Sequence, residues 1–331
     1  MLNIGLLGCG RIGQVHARTI KAIDSARITA VSDALPQAAE ALATTLGAQV
    51  MTSDALIASR DVDAVIIGTP TTTHYDLIQA TASEGKAIFC EKPVDLSVNR
   101  IEECLAAVNS AGVPFMTAFN RRFDPNFAHL KGQLDDQVVG DVELVTILSR
   151  DPAPPPIDYI KTSGGIFRDM MIHDLDMARF LLGEEPVELF ATGSCLVDPE
   201  IGAAGDVDTA AVTLKTGSGK ICQITNSRRA SYGYDQRIEV HGSKGMIRAA
   251  NEMEHSVELA TEAGFLQAPT KHFFLERYAA AYRAEMLHFI DALNSGTAPQ
   301  PNGIDGLKAQ MLADAADASC KDGAPKPLAL G

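Results

Sequence analysis

Over the first third of the chain, short apolar blocks alternate with longer stretches of helical spacing. NIGLLG (3–8) runs into a helical stretch from about Arg11 to Ile23, and RITAVSD (27–33) is a second block. DAVIIGTP (63–70), KAIFCEKP (86–93) and VPFMTAF (113–119) follow, each after another helical stretch. Strands regularly separated by helices predict a parallel sheet covered on its faces. After about residue 140 the pattern changes. DVELVTILS, AAVTLKTG, GKICQITNS and QRIEVHG are strand-like runs with little helix between them. A helix predicted over 166–182 interrupts them, and helical stretches near 275–294 and 303–319 close the chain. The DPAPPP run at 151–156 is an irregular connection rather than a domain linker, because strands flank it closely.

The interrupting helix, within GGIFRDMMIHDLDMARF (164–180), raises the chemical question. At about 100° per residue, Met171, Leu175, Ala178 and Leu182 form one apolar seam. Asp169, His173 and Asp176 form a stripe nearly opposite, with Asp169 and His173 four residues apart, where side chains on a helix can touch. Most such stripes only meet water. Asp174 lies off the stripe and is expected to be structural, whereas Asp176 could bind ligand hydroxyls or simply solvate the helix. A metal held by these Asp and His side chains is a rival reading that lacks a third ligand motif, so no metal is expected.

Composition removes several function classes. The 331 residues suffice for two domains, and a hydrophobic content of 46% supports a substantial core. A net charge of −14 with no basic cluster argues against nucleic acid or an acidic membrane as partner. The longest apolar runs are too short to span a bilayer, and MLNIGLLGCGRIG reads as a first strand rather than a secretion signal. Six cysteines without a CxxC pair suggest reduced thiols in a cytoplasmic protein and no zinc cluster.

Gly8-Cys9-Gly10-Arg11-Ile12-Gly13 is a GxGxxG between a strand and a helix. Gly8 permits the tight turn, Gly10 lets the backbone approach a pyrophosphate, and Gly13 lets helix pack on strand. The anion would sit at the helix N-terminus, among free N–H groups. Asp33 ends the second strand, where a carboxylate holds the adenosine ribose hydroxyls and repels a 2′-phosphate. Ala34, Leu35 and Pro36 follow with no nearby cation, which favours NAD over NADP. Ligands gather at the carboxyl ends of such strands. Two more of these ends are unusual: Thr69-Pro70-Thr71-Thr72-Thr73-His74 and Glu91-Lys92-Pro93. Pro93 biases Lys92 to an extended conformation, and a cis Lys92–Pro93 bond is possible. His74 reads as a helix-start residue behind the site rather than a catalyst.

GLLGCGRIG, Asp33, TPTTTH, FCEKP, FNRRFDPNF and GGIFRDMMIHDLDMARFLLG, in this order and spacing, resemble the glucose–fructose oxidoreductase/inositol dehydrogenase/MocA-like family over nearly the whole chain. SRDP and SRRASYGYDQRIEVHGSKG are most similar to its bacterial inositol 2-dehydrogenase branch. The resemblance implies an N-terminal Rossmann domain, a doubly wound parallel sheet over residues 1–120. It also implies a C-terminal α/β domain over 121–331 with a large, open, mostly antiparallel sheet that commonly builds homotetramers. The last helix would return to the first domain.

By the same resemblance the catalytic group is Lys92, Asp169 and His173, and the polar stripe faces the interdomain cleft. The cofactor, NAD, would be held by Gly8, Gly10, Arg11, Ile12, Gly13, Asp33, Thr69, Pro70, His74, Glu91, Lys92 and Asn120. Asn120, Asp151, Tyr232 and Tyr234 join the catalytic group as candidate binders of polyol hydroxyls; Arg121 and Arg122 could equally hold Asp124. Histidine suits the base that takes the alcohol proton near neutral pH, Asp169 could orient it, and Lys92 can stabilise charge developing on the reacting oxygen. The expected reaction is oxidation of myo-inositol to 2-keto-myo-inositol. Oxidation of scyllo-inositol, glucose or another polyol is the alternative, and so is a dinucleotide-binding sensor without turnover. A sensor needs only the glycine turn and Asp33, so the presence of Lys92, Asp169 and His173 argues against it.

Overall fold

The computed structural model describes residues 1–331. The chain forms two compact units: Met1–Phe123 with Ala280–Gln310, and Asp124–Ala279 with Met311–Gly331.

The first unit runs β1 (Leu2–Leu7), α1 (Arg11–Lys21), β2 (Ala26–Ser32), α2 (Pro36–Leu46), β3 (Gln49–Val50), α3 (Ser53–Ala58), β4 (Ala64–Ile67), α4 (His74–Ser83), β5 (Ala87–Glu91), α5 (Val98–Ala111) and β6 (Phe115–Ala118). All neighbouring strands are parallel, in the order β3-β2-β1-β4-β5-β6. The pattern arises because both faces are covered. Ile4, Leu6, Ile66, Phe89 and Met116 pack with Ala17 and Ile20 of α1 on one side. Leu7, Val65, Ile67, Ile88 and Phe115 pack with Leu56, Ile78, Ile101 and Leu105 on the other. A strand buried on both faces reads as a continuous apolar run rather than an alternating one. The strand order reverses between β1 and β4, where doubly wound sheets place their ligands, and Gly8, Thr69 and Lys92 all follow strand ends there. The two-residue edge strand β3 is exposed and has no apolar signature.

The second unit contains α6 (Pro125–Asp135), β7 (Val142–Arg150), α7 (Ile157–Ser163), α8 (Gly165–Asp169), α9 (Ile172–Leu182), β8 (Pro186–Ser194), α10 (Pro199–Ala203), β9 (Thr209–Thr216), β10 (Ile221–Ser227), β11 (Asp235–Gly242), β12 (Gly245–Ala249), the hairpin β13 (Glu258–Thr261) and β14 (Gly264–Gln267), and α11 (Phe274–Arg277). Then follow α12 (Ala279–Ser295), α13 (Gly303–Asp322) and β15 (Lys326–Pro327). The sheet order is β12-β11-β7-β10-β9-β8-β15, and only β7 and β10 pair in parallel. Burial alternates along its strands. Val145, Ile147, Cys222, Ile224, Val212 and Leu214 are buried, whereas Leu144, Phe190, Ile221 and Met246 point to the opposite, open face.

The last helix was expected to return to the first domain, and the two long closing helices are shared between the units. Nearly all of α12 and the first part of α13, to Gln310, belong to the first unit, and the rest of α13 to the second. Met286, Phe289 and Ile290 of α12 complete the first unit's core.

The helix expected over 166–182 is two helices. Met171 N reaches back to Ile166 O at 2.8 Å, an i to i−5 bond, while Met170 N bonds the same oxygen at 3.1 Å. This widened, π-type turn separates α8 from α9; such turns recur at functional sites. Nor is the stripe wet throughout. Asp176 is 1% exposed beside Arg179, at 3.7 Å, so it neither solvates the helix nor opens to a ligand. The apolar seam of Met171, Leu175, Ala178 and Leu182 is buried as expected.

Candidate active site

In the first unit the glycine turn has the geometry its residue types require. Gly8 has φ +95°, and a Cβ there would lie 2.5 Å from Gly68 O. A Cβ on Gly13 would lie 1.9 Å from Gly8 O, whereas one on Gly10 would meet nothing within 4 Å. Gly8 and Gly13 are therefore fixed by the protein itself, and Gly10 leaves open space where backbone can approach a ligand. Gly10 is also the N-cap of α1. No side chain caps this end and its first turn carries no acidic residue, so Arg11, Ile12 and Gly13 open a helix ready for an anion. The chain thus fits a bound dinucleotide pyrophosphate.

Asp33 lies beside this turn. Its Oδ2 accepts from Cys9 N at 2.6 Å and its Oδ1 from Leu35 N at 2.8 Å. The carboxylate thereby ties β2 to the glycine turn and retains acceptor sites for ribose hydroxyls. Burial, and then the Asp33 charge, push the Cys9 thiol up to about 11, so it stays protonated.

Pro70 is exposed, and Thr69 Oγ1 lies 2.7 Å from Thr73 Oγ1. His74 starts α4 and is 1% exposed. Its Nδ1 lies 2.9 Å from Pro93 O and its Nε2 2.9 Å from Thr69 O. Both ring nitrogens face backbone carbonyls, and the neutral imidazole that burial favours donates to one of them. Glu91 Oε1 lies 2.7 Å from Nε2 of buried His16. Lys92 is partly exposed and precedes Pro93 through a cis peptide bond. Asn120, just beyond β6, is 3% exposed. Arg122 pairs with Asp305 at 2.9 Å. Asp124 is instead the N-cap of α6 and the partner of buried Arg277.

In the second unit, Asp169 ends α8 and His173 lies in the first turn of α9, both partly exposed. Asp169 Oδ1 accepts from Tyr159 Oη at 2.9 Å, and Asp169 Oδ2 lies 3.6 Å from Nη1 of Arg228, a side chain 1% exposed. Arg228 also reaches Asp206 at 3.4 Å, and Asp206 Oδ1 accepts from Ile166 N at 3.0 Å. Gly164 and Gly165 have φ +87° and +82°, and a Cβ on Gly165 would lie 2.7 Å from Asp206 Oδ1. Gly165 is thus a steric requirement of the Asp206–Arg228–Asp169 chain, and Gly164 a conformational one of the turn before it. Tyr159 and Arg228 were missed by reading the sequence. The SRR run after β10 was visible, but nothing local tied it to Asp169.

Asp174 is structural, as expected. It is fully buried, accepting from Ser149 Oγ at 2.7 Å and Asn226 Nδ2 at 2.8 Å, and so fixes α9 to β7 and β10. Asp151 follows β7, its N donating to Ser227 O at 3.0 Å. Tyr232 is exposed; its hydroxyl donates to Asp235 at 2.6 Å and accepts from Arg150 at 3.1 Å. Tyr234 is 5% exposed and packs edge-on against Phe273 and Tyr278, so its ring belongs to the core rather than to a hydroxyl-binding surface. A depression of about 400 Å³ in this unit, lined by Arg150, Thr192, Thr209, Thr225 and Arg229, contains none of the predicted site residues.

A Rossmann sheet, an uncapped glycine turn with its acidic partner, and a lysine at the next strand end define a dinucleotide-dependent oxidoreductase. Residues 2–119 match the model of the oxidoreductase family with NAD-binding Rossmann fold, and residues 127–248 match the GFO/IDH/MocA C-terminal domain. The chain belongs to the GFO/IDH/MocA family. It is 55% identical to inositol 2-dehydrogenase of Rhizobium meliloti over 95% of this chain and 96% of that one. A crystal structure of a myo-inositol dehydrogenase from Corynebacterium glutamicum superposes with a TM-score of 0.95 at 43% identity, covering 99% of each chain. Scyllo-inositol dehydrogenase from Lactobacillus casei, with NAD(H) and scyllo-inositol bound, superposes with a TM-score of 0.93 at 29% identity over 99% of each chain. No helix is long and apolar enough to cross a membrane.

Proposed function

We propose that the protein oxidises myo-inositol to 2-keto-myo-inositol (scyllo-inosose) with NAD, in myo-inositol catabolism. The observation that carries this reading is Asp169, anchored by Tyr159 and Arg228 four residues before His173 at the α8–α9 junction, in a chain that also bears Lys92 and the glycine turn and is 55% identical to an inositol 2-dehydrogenase. Gly8, Gly10, Arg11, Ile12, Gly13 and Asp33 hold the cofactor, with Thr69, Pro70 and Asn120 nearer its reactive end. When bound, NAD supplies the hydride acceptor.

His173 takes the hydroxyl proton. A base contributes roughly 10²–10⁴-fold in such a step, which sets the loss expected for His173→Ala. Lys92 donates a hydrogen bond to the reacting oxygen and stabilises its developing charge. Asp169, with its oxygens turned to Tyr159 and Arg228, holds the charge that forms on the imidazole. Asp151 and Tyr232 bind further hydroxyls of the ring.

The test is NADH formation with myo-inositol, scyllo-inositol and glucose, each with NAD and NADP. Turnover with myo-inositol and NAD well above the rest supports the reading. Preference for scyllo-inositol or glucose would keep the catalytic group and discard the substrate, and NAD binding with no turnover on any polyol would leave a sensor.

The active assembly is a homotetramer built on the open face of the seven-stranded sheet, which exposes Leu144, Phe190, Ile221 and Met246. Exposed apolar residues gathered on one sheet face are suited to a subunit contact. The protein works in the cytoplasm, consistent with six free cysteines.

A further inference from the structure

Two buried histidines of the first unit have no part in the chemistry above, and each contacts a neighbour of Lys92. His16 lies on α1, three residues beyond Gly13, and is 0% exposed. Its ring is boxed edge-on between Phe89, at 5.1 Å, and Tyr282, at 6.0 Å, and its Nε2 lies 2.7 Å from Glu91 Oε1. His74 Nδ1 lies 2.9 Å from Pro93 O and Nε2 2.9 Å from Thr69 O, so its single N–H ties it to one of these carbonyls while its ring packs between them. Glu91 and Pro93 are the residues on either side of Lys92. We propose that His16 and His74 are positioning residues that brace the Glu91–Pro93 segment from both sides and so aim Lys92 at the reacting oxygen.

The physical need is specific. A lysine ammonium ends a flexible four-carbon stem, so it can be aimed only if the backbone that launches it is held, and small misplacements of a reacting group are costly. His74 ties the end of β5 to the end of β4. His16 ties it to α1, so the helix that holds the cofactor and the strand that carries the lysine move together. The surrounding groups keep this arrangement selective. Glu285 of α12 is fully buried, and neither carboxylate oxygen has a hydrogen-bond partner. Burial, and then the Glu91 charge, push it well above the usual carboxylate range, so it stays neutral. Glu91 is the carboxylate bonded to His16, and Tyr282 of α12 packs edge-on against that ring. Glu91 and Asp95 are the charges near His74.

The inference rests on the proposed role of Lys92, and the experiment separates the two. Turnover, KM for NAD and myo-inositol, and Tm are measured for Lys92→Ala, His16→Ala, His16→Gln, His74→Ala and His74→Gln. Loss of the brace lowers kcat about 10–100-fold in the folded alanine variants, with each KM within about threefold of wild type. His16→Gln, whose amide can still donate to Glu91, recovers most of that loss. Wild-type kcat in His16→Ala and His74→Ala overturns the brace while leaving Lys92 intact, provided Lys92→Ala is inactive. A kcat loss that glutamine does not restore at position 16, or one tracked by a rise in KM for NAD, also overturns it. Turnover by Lys92→Ala would instead overturn the role of the lysine.

Discussion

At the scale of single residues, Asp33 has two duties that a substitution can separate. It accepts two backbone N–H groups that shape the glycine turn, and it is proposed to select for a free ribose 2′-OH. Asp33→Ser is expected to cut kcat/KM with NAD by about 10–100-fold, a loss of hydrogen bonds to a charged group, and to narrow the preference over NADP. Parallel kinetics with both cofactors check this, and an unchanged NAD/NADP ratio would remove Asp33 from cofactor selection. Two other residues set a pH dependence. His288 Nε2 accepts from Gln300 N at 3.1 Å, a bond only an unprotonated nitrogen can make, and burial lowers its pKa against the pull of Asp291. Burial also lowers that of His74, more strongly than its two carbonyl partners raise it. The unfolded chain therefore binds protons more readily than the folded one below about pH 6.5. Stability is steady above that pH and falls as pH drops from there towards the lowered folded values. Tm measured between pH 7.5 and 5 should decline, and His288→Gln should lessen the slope. A flat Tm, or the same slope in the variant, would contradict this account.

At the scale of elements, the junction between α8 and α9 depends on contacts that neither helix supplies. Asp174 holds α9 to β7 and β10 from a fully buried site. Asp174→Ala removes the carboxylate that accepts from Ser149 and Asn226 and should destabilise the fold by about 2–4 kcal/mol, the cost of breaking buried polar partners. Urea unfolding would show it as a lower midpoint at unchanged m. Gly165→Ala acts differently: its Cβ would displace Asp206 and through it Arg228, so activity should fall more steeply than stability. If turnover of the folded variant matches wild type, the chain from Asp206 to Asp169 does not support catalysis.

These elements also show what could be read in advance. β1, β2, β4, β5 and β6 were legible because burial on both faces makes each strand a continuous apolar run, and the glycine turn because its steric demands are local. The break at Met170–Met171 was not, since Asp169 and His173 sit four residues apart with or without it. Arg228, Tyr159 and His16 were not, because each gains its meaning from a carboxylate distant in sequence, and no periodicity encodes that pairing. Tyr234 misled for the same reason: nothing beside it reveals that Phe273 and Tyr278 cover its ring.

At the scale of the whole molecule, the open sheet face is the surface through which subunits are proposed to assemble. Phe190→Glu together with Ile221→Lys places charges among apolar residues on that face, opposite the buried side of the sheet. Analytical ultracentrifugation should then show a smaller species, with the secondary structure retained by circular dichroism. A tetramer that persists would place the contact elsewhere on the molecule.

Local chemistry in the chain was sufficient to establish a parallel dinucleotide-binding sheet, its glycine turn with Asp33 at the end of the second strand, and a helical segment carrying an aspartate and a histidine. Each depends on residues within one turn or one strand, where sterics and periodicity act directly. Tertiary structure decided which of those side chains were free to act. It buried Asp176 beside Arg179, packed Tyr234 into the core, committed His74 and Glu91 to bracing, and joined Asp169 to Tyr159 and Arg228. The physical reason is that a polar group's role depends on its partners and its exposure, and both are settled only when distant segments of the chain meet.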